Sequence, residues 1–426
     1  MEKVKNMKKC YKSADILLPD FDKVSPEKWA VVACDQYTSE PEYWEKAEKI
    51  VGDAPSTLKM ILPEVYLSEK DKRIPEINKT MKEYLTDVLK EIPDAMVYVE
   101  REQSDGSVRE GLLLSVDLEC YDFKKGASSL IRATEATVME RIPPRVAIRR
   151  DATVELPHVM LLIDDPKKTV IEPLANMTGG KVIYNSDLML RGGHIKGTLI
   201  DDKAKLEVEK TLDALICREG MEERYKDASL APVLFAVGDG NHSLATAKTI
   251  YEELKAKIGE EAAANSPARY ALAEVVNIHS EALRFEPIYR VMFGVDRRDV
   301  VEKLKDYANG LQGNAEPQMI KYIFDGESGE IEVKAPVRQL TVGTLQDFID
   351  GYMAGKDGVE VDYIHGEASV EALSRKNGAI GFMFSGMGKD QLFKTVIFDG
   401  ALPRKTFSMG HAEDKRYYLE CRKIVD

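Results

Sequence analysis

Val233-Leu234-Phe235-Ala236-Val237-Gly238-Asp239-Gly240-Asn241-His242-Ser243 is the stretch on which the reading of this chain turns. Five apolar residues in succession make a strand-sized run of the kind that a sheet buries on both faces. Gly-Asp-Gly then allows a sharp bend, because glycine accepts positive φ. From Ser243 to Leu254 the pattern is helical. Strand, tight turn and helix in that order indicate an α/β fold, here mixed with α+β elements. A helix that starts in such a turn aims its first N–H groups and its positive dipole end at the occupant of the turn, which suits phosphate. His242 and Ser243 fall in the first helical turn and reach the same point, whereas Lys248 lies further along. The spacing is neither a Walker loop nor a Gly-x-Gly-x-x-Gly dinucleotide turn. A bland reading stands beside the functional one, with Asp239 or Asn241 capping a core helix and His242 merely hydrogen-bonded.

On the N-terminal side, residues 16–39 read as strand and loop ending in Cys34-Asp35-Gln36-Tyr37-Thr38-Ser39, and Pro41 opens a short helix. Ile77, Met81, Tyr84, Leu85, Val88 and Leu89 recur at helical spacing. Residues 96–102 and 111–119 flank Ser104-Asp105-Gly106, a hairpin signal. Residues 159–163 read as a buried strand, and a helix through Leu206, Leu212, Leu215 and Ile216 is expected to stop at Gly220. Residues 255–267 read as a helix end and a surface loop. Beyond them, helices around 300–307 and 345–353 mix with strands at 322–324 and 379–384. A main domain over residues 1–290 and a smaller α+β region over 291–426, closing over the site, are therefore expected.

Three constellations carry the candidate chemistry. At the turn, Asp239 and His242 are candidate catalytic residues, with Gly238, Gly240, Asn241 and Ser243 forming the anion cradle. Between residues 132 and 165, Arg132, Arg141, Arg145 and Arg149 are interleaved with Glu135, Glu155 and His158, and guanidinium forks fit phosphate and carboxylate oxygens. Asp164 and Asp165 follow a strand, a place for magnesium ligands or a base. Third, Arg404, Lys405, Thr406 and Ser408 lie between Pro403 and Gly410 and suit an anion-binding loop. Glu286-Pro287 with Arg290, and Asp362-Tyr363-Ile364-His365-Gly366, are weaker signals of the same kind. Exchanged salt bridges on a solvated surface explain any single member of these groups as well.

Composition narrows the class. The 426 residues allow two or three domains at roughly 100–200 residues each. The formal net charge of −13 disfavours a general nucleic-acid binder, which needs clustered cations. The five cysteines, Cys10, Cys34, Cys120, Cys217 and Cys421, are scattered and form no Cys-x-x-Cys pair, as expected in a reducing cytosol. No apolar h-region follows the basic start, and no apolar run nears the ~18 residues of a membrane span, so a cytoplasmic location without membrane contact is expected.

Six strings together resemble a bacterial family of unknown function, domain of unknown function 1015. They are Ile131-Arg132-Ala133-Thr134-Glu135, Arg141-Ile142-Pro143-Pro144-Arg145, Glu155-Leu156-Pro157-His158, the 238–243 turn, the 362–366 string and the run from Leu402 to Gly410. Genes of that family often lie beside those of phosphoglycerate dehydrogenase and phosphoserine aminotransferase, so the resemblance implies a place in serine metabolism. More distantly, Asp239, Gly240 and His242 are similar to the Asp-Gly-His-His-Arg turn of the ParB/sulfiredoxin superfamily, some of whose archaeal members are ADP-dependent free-serine kinases. Asn241 and Ser243 depart from that pattern. The missing arginine would have to be replaced from elsewhere, by Arg132 or Arg149 for example. The resemblance implies a ParB/sulfiredoxin-like nucleotide-binding core and phosphoryl transfer on serine or phosphoserine, with ADP or ATP and magnesium. Asp239, His242, Glu135 and Glu155 would be catalytic, and Asp164, Asp165 and Asp239 would hold the metal. The alternative is a non-catalytic sensor of a nucleotide or amino acid. Either way the partner is a small phosphorylated metabolite.

Overall fold

The computed structural model describes residues 9–135 and 142–425. The chain divides into two units, one of Met1–Ala133, Thr137–Leu283 and Gly410–Asp426, the other of Thr134–Ala136 and Arg284–Met409. Residues 410–426 thus return to the first unit, whereas a boundary at 290 would leave them in the smaller region. The physical reason is a strand: Cys421–Lys423 pairs with Ala14–Pro19 on one side and Val154–Glu155 on the other.

The first unit is built on a ten-stranded mixed sheet. Its middle runs Val108–Asp117, Tyr270–Asn277, Met160–Ile163, Phe235–Asp239, Ile131–Ala133. Residues 160–163 and 235–237 are buried throughout, as continuous apolar runs require. Phe235–Asp239 lies antiparallel to Met160–Ile163 and parallel to Ile131–Ala133. The hairpin expected around Ser104-Asp105-Gly106 is present, pairing Val97–Glu102 with Val108–Asp117. A separate four-stranded sheet joins Leu89–Ala95, Ala14–Pro19, Cys421–Lys423 and Val154–Glu155.

Two local expectations need correction. The helix Asp202–Ile216 ends at Cys217, and Gly220 lies inside a further helix, Arg218–Tyr225, because the Cys217 sulfur caps the Gly220 N–H at 3.4 Å. The stretch read as loop holds a helix, Glu260–Asn265, whose Ala263 is buried. The second unit is an antiparallel sheet in the order Glu327–Val333, Gln318–Phe324, Ile380–Met383, Glu286–Phe293, Glu360–His365, with the helices Arg297–Gly310 and Thr341–Met353 among its elements. Among the described residues no helix is long and apolar enough to cross a membrane.

Candidate functional site

The strand Phe235–Asp239 passes through Gly240 into the helix Asn241–Ile258. Gly240 has φ +82°, and a Cβ there would stand 3.0 Å from the Val159 Cα, so both conformation and space demand glycine. As the residue preceding the helix it has no side chain with which to cap the first turn. Helix starts without such a cap present N–H groups to water or to a ligand. Asp239 accepts the Gly240 N–H at 2.8 Å through Oδ1, and its Oδ2 lies 3.4 Å from the Lys415 Nζ. Lys415 is carried in by a returning segment. Its carbonyl accepts from Ala33, while Tyr417 and Tyr418 donate to Val31 and Pro157.

Ser243, on the first turn of the helix, faces His158, with Oγ and Nε2 3.0 Å apart. The His158 ring packs edge-on against Tyr417 at 5.0 Å. Among the described residues neither His158 Nδ1 nor Asn241 Oδ1, both buried, has a hydrogen-bond partner. A Ser–His–Asp hydrolase would place a carboxylate on that Nδ1, so the pair is not a completed triad. Nearby, burial works to raise the pKa of Asp35, but His158, Gln36, Arg145 and Lys415 together hold it below the usual carboxylate value. Burial and then Asp35 push the Cys34 thiol up to about 12, which keeps it protonated and unreactive at neutral pH. Cys34, Arg145, His158, Ser243, Thr246 and Tyr417, with the paired Arg149 and Glu155, form the polar part of the wall of a cavity of about 130 Å³. Its remaining wall is mostly apolar and includes Met60, Met81 and Ile148.

Other expected site residues are engaged elsewhere. Arg132 gives its guanidinium to the carbonyls of Ser129, Ala231 and Pro232, which precede the strands Ile131–Ala133 and Phe235–Asp239. It therefore bonds at the end of these parallel strands opposite to Asp239. Glu155 accepts from Arg149 at 2.6 Å, from Arg422 at 2.7 Å and from the Leu272 N–H at 2.8 Å. It touches the cavity, yet its charge ties two sheets together, and burial is outweighed by the two arginines, which hold its pKa down. Arg145 pairs with Glu64.

The three aspartates expected to share a metal do not meet. Asp239 is opposite Met160 in the antiparallel pair, and Asp164 follows four residues later, roughly 13 Å along the strand direction. Asp164 accepts from Tyr225, His279 and Arg224, and Asp165 caps the backbone of Thr169 and Val170. Among the described residues no group of three or more His, Cys, Asp or Glu is arranged to hold a metal. His242 stands half-buried at the second helical position, and Gly238 lies against Leu162. Glu135, Arg404, Lys405, Thr406 and Ser408 belong to the second unit, and Arg141 lies outside the described residues. Glu135 there forms a parallel bridge to Leu402.

Sequence reasoning missed Asp35, Thr246, Lys415 and Tyr417. Thr246 was within reach, one helical turn after His242, whose carbonyl it bonds at 2.7 Å. Lys415 and Tyr417 carried no local signal, since they arrive through long-range backbone pairing.

Residues 19–423 match a family model described as "Protein of unknown function (DUF1015)". No curated protein matches the chain. Among solved structures, a variant of free serine kinase in complex with AMP aligns with TM-score 0.35 and 10% identity, over 70% of this chain and 87% of that chain. A second variant, in complex with ADP, gives TM-score 0.35 and 11% identity over the same shares. A conserved hypothetical protein from Pyrococcus furiosus gives TM-score 0.31 and 10% identity, over 70% of this chain and 90% of that chain.

Proposed function

This chain belongs to the DUF1015 family of proteins of unknown function, and from its helix start we propose that it is a phosphoryl-transfer enzyme acting on serine or phosphoserine. The observation that carries the reading is the start of Asn241–Ile258, to which Gly240 gives no side-chain cap, with two buried polar atoms beside it that have no hydrogen-bond partner among the described residues, Asn241 Oδ1 and His158 Nδ1. A helix start whose preceding glycine supplies no side-chain cap suits an anion. An empty acceptor such as Asn241 Oδ1 calls for a donor, an ammonium or a hydroxyl. Phosphoserine offers both in one molecule, and serine offers the second while a nucleotide phosphate offers the first.

In this reading the first helical N–H groups and Lys415 hold the phosphate oxygens. Asp239 accepts the proton of the serine hydroxyl as its oxygen forms the new bond to phosphorus and the bond to the nucleotide breaks. In the opposite direction the serine oxygen–phosphorus bond breaks, the oxygen takes the proton back from Asp239 and leaves as serine, and water or ADP takes the phosphoryl group. Such chemistry asks for positioning and charge rather than for covalent participation by the protein. ADP or ATP is the nucleotide of this proposal. The described residues do not fit the three-carboxylate magnesium site expected from sequence.

The missing carboxylate set favours a second reading, a ParB-like sensor that binds the same ligands without turnover. One incubation separates the two: purified protein with phosphoserine, with and without ADP and magnesium, assayed for serine, phosphate and ATP. The enzyme reading expects serine to accumulate with phosphate or ATP in equal amount. Binding of phosphoserine with no product under any of these conditions would leave the sensor standing and end the enzyme.

A further inference from the structure

The second unit gathers three of the sequence signals that the proposed function does not use. Arg290, on Glu286–Phe293, is opposite Tyr363, on Glu360–His365, in the antiparallel register. Directly paired residues project from the same face, and the Arg290 guanidinium lies 4.5 Å from the Tyr363 ring centre. Arg290 is wholly buried and, among the described residues, makes no ion pair with a carboxylate. It donates instead to Gln346 at 2.9 Å and to the carbonyls of Ile288, Lys405 and Arg404 at 2.5, 3.2 and 2.9 Å.

Two of those carbonyls belong to the turn after Pro403, which is closed by the Thr406 hydroxyl on the Pro403 carbonyl at 2.6 Å. Lys405 takes φ +50° in that turn, a left-handed conformation unfavourable for a side-chain-bearing residue. The bend turns the Arg404 and Lys405 carbonyls toward Arg290. It also sets both side chains over Tyr363, with Lys405 Nζ at 4.8 Å and the Arg404 guanidinium at 5.6 Å from the ring centre. Among the described residues Asp350 is the one carboxylate paired with this cluster, 3.1 Å from Arg404. Lys405 has no carboxylate partner there, and the buried Tyr363 hydroxyl has no hydrogen-bond partner. Three cations against one carboxylate leave two positive charges in excess, and the orphan hydroxyl supplies a neutral donor.

We infer that Tyr363, Arg404 and Lys405 form a binding site for a phosphate dianion, with buried Arg290 as the post that shapes the turn. The ligand is a phosphate group, free or esterified: its oxygens accept from the Tyr363 hydroxyl and Lys405, and its two charges match the excess. A carboxylate neutralises only one of them. All its residues lie in the second unit.

The test reads Lys405 itself. The full-length protein is treated with an amine-reactive acylating reagent, and labelling of Lys405 is followed by peptide mass spectrometry. The probes are inorganic phosphate, glycerol phosphate and acetate, with sodium chloride matched in ionic strength. Phosphate and glycerol phosphate should slow labelling and acetate should not; protection by inorganic phosphate alone would narrow the ligand to the free ion and keep the site. Tyr363→Phe retains the ring beneath the cations, and its melting temperature reports the fold. It should raise the phosphate concentration for half-protection at least about tenfold, the value of one hydrogen bond to a charged group. Equal protection by acetate or by sodium chloride, unchanged protection in Tyr363→Phe, or none in the parent would each overturn the site. Because the signal comes from Lys405, failure here leaves the helix-start reading intact, and serine turnover without Lys405 protection would show that reading surviving alone.

Discussion

Asp239 and Asp164 stand at opposite ends of two neighbouring antiparallel strands, and the chain treats their charge differently. Asp164 is buried beneath Tyr225 at 2.6 Å, His279 at 2.8 Å and Arg224 at 3.2 Å. Burial alone would raise its pKa; His279, Tyr225 and Arg224 hold it down instead. Asp239 is about one-third exposed, and beyond its neighbour's N–H it has, among the described residues, one loose ion pair, with Lys415 at 3.4 Å. Glu155 follows Asp164, with two arginines and a backbone N–H on one carboxylate. Where the fold supplies every partner, a charge holds elements together. Where it leaves capacity over, the group is available to a ligand.

The sharpest way to break this contrast is to remove a satisfied carboxylate. Glu155→Ala strands Arg422 and Arg149 in a buried site, and leaving a buried charge without its partner costs about 3–5 kcal/mol. Chemical denaturation should show that loss in the midpoint. A variant as stable as the parent would reassign Glu155 from tie to ligand group.

The converse change is Asp239→Asn. Asparagine can still accept the Gly240 N–H, so the melting temperature should stay close to that of the parent. Serine or phosphoserine turnover should fall about a hundred- to a thousandfold, equivalent to roughly 2.7–4 kcal/mol. Full turnover in a stable variant would remove Asp239 from the chemistry.

Glu420 sharpens the comparison from a third side. It is fully buried, takes a hydrogen bond from Tyr184 at 2.8 Å, and leaves its other oxygen without a partner among the described residues. Burial pushes its pKa up from the usual 4.5 to about 7, against the Tyr184 hydrogen bond, with Glu274 adding to the rise. A raised carboxylate pKa means that the folded state keeps a proton the unfolded chain has released. Stability therefore falls as pH rises from about 4.5 to about 7 and then levels, with an amplitude on the order of 3 kcal/mol. Glu420→Gln should flatten that part of the stability profile and gain most over the parent near neutral pH. An identical slope in both proteins would show that Glu420 is not the group responsible.

The smallest effect belongs to Gly240→Ala. The left-handed φ and the contact with Val159 should cost about 1–2 kcal/mol, read as a lowered melting temperature. A neutral substitution would show that the turn can relax, and with it the anion cradle.

Much of the fold was legible because its signals are local. The apolar run before Gly238, the hairpin at Ser104-Asp105-Gly106 and the helix beginning at Pro41 each carry their own periodicity and turn chemistry. Gly220 misled because a glycine inside a helix costs only about 1 kcal/mol, which a sulfur cap and tertiary packing override. The candidate site was half legible: Asp239, Asn241, Ser243 and His158 were named from motifs, but Arg132 and Glu155 looked equally apt. Arginine and glutamate serve anions and structural ties with the same atoms, and no local pattern tells which partner each will meet.

What the sequence determined by itself, then, is the strand–turn–helix unit, the glycine at position 240 and the identity of the chemical groups near it. These follow from backbone sterics and from periodicity over a few residues. The tertiary structure alone decided which of those groups remain available. It brings Lys415 and Tyr417 to the turn from the far end of the chain, sends Arg132 to the other end of its strands, and separates Asp164 and Asp165 from Asp239. The reason is that hydrogen-bond satisfaction is a property of the whole packing: a polar group's role depends on which partners the long-range register delivers, and no window of sequence contains both.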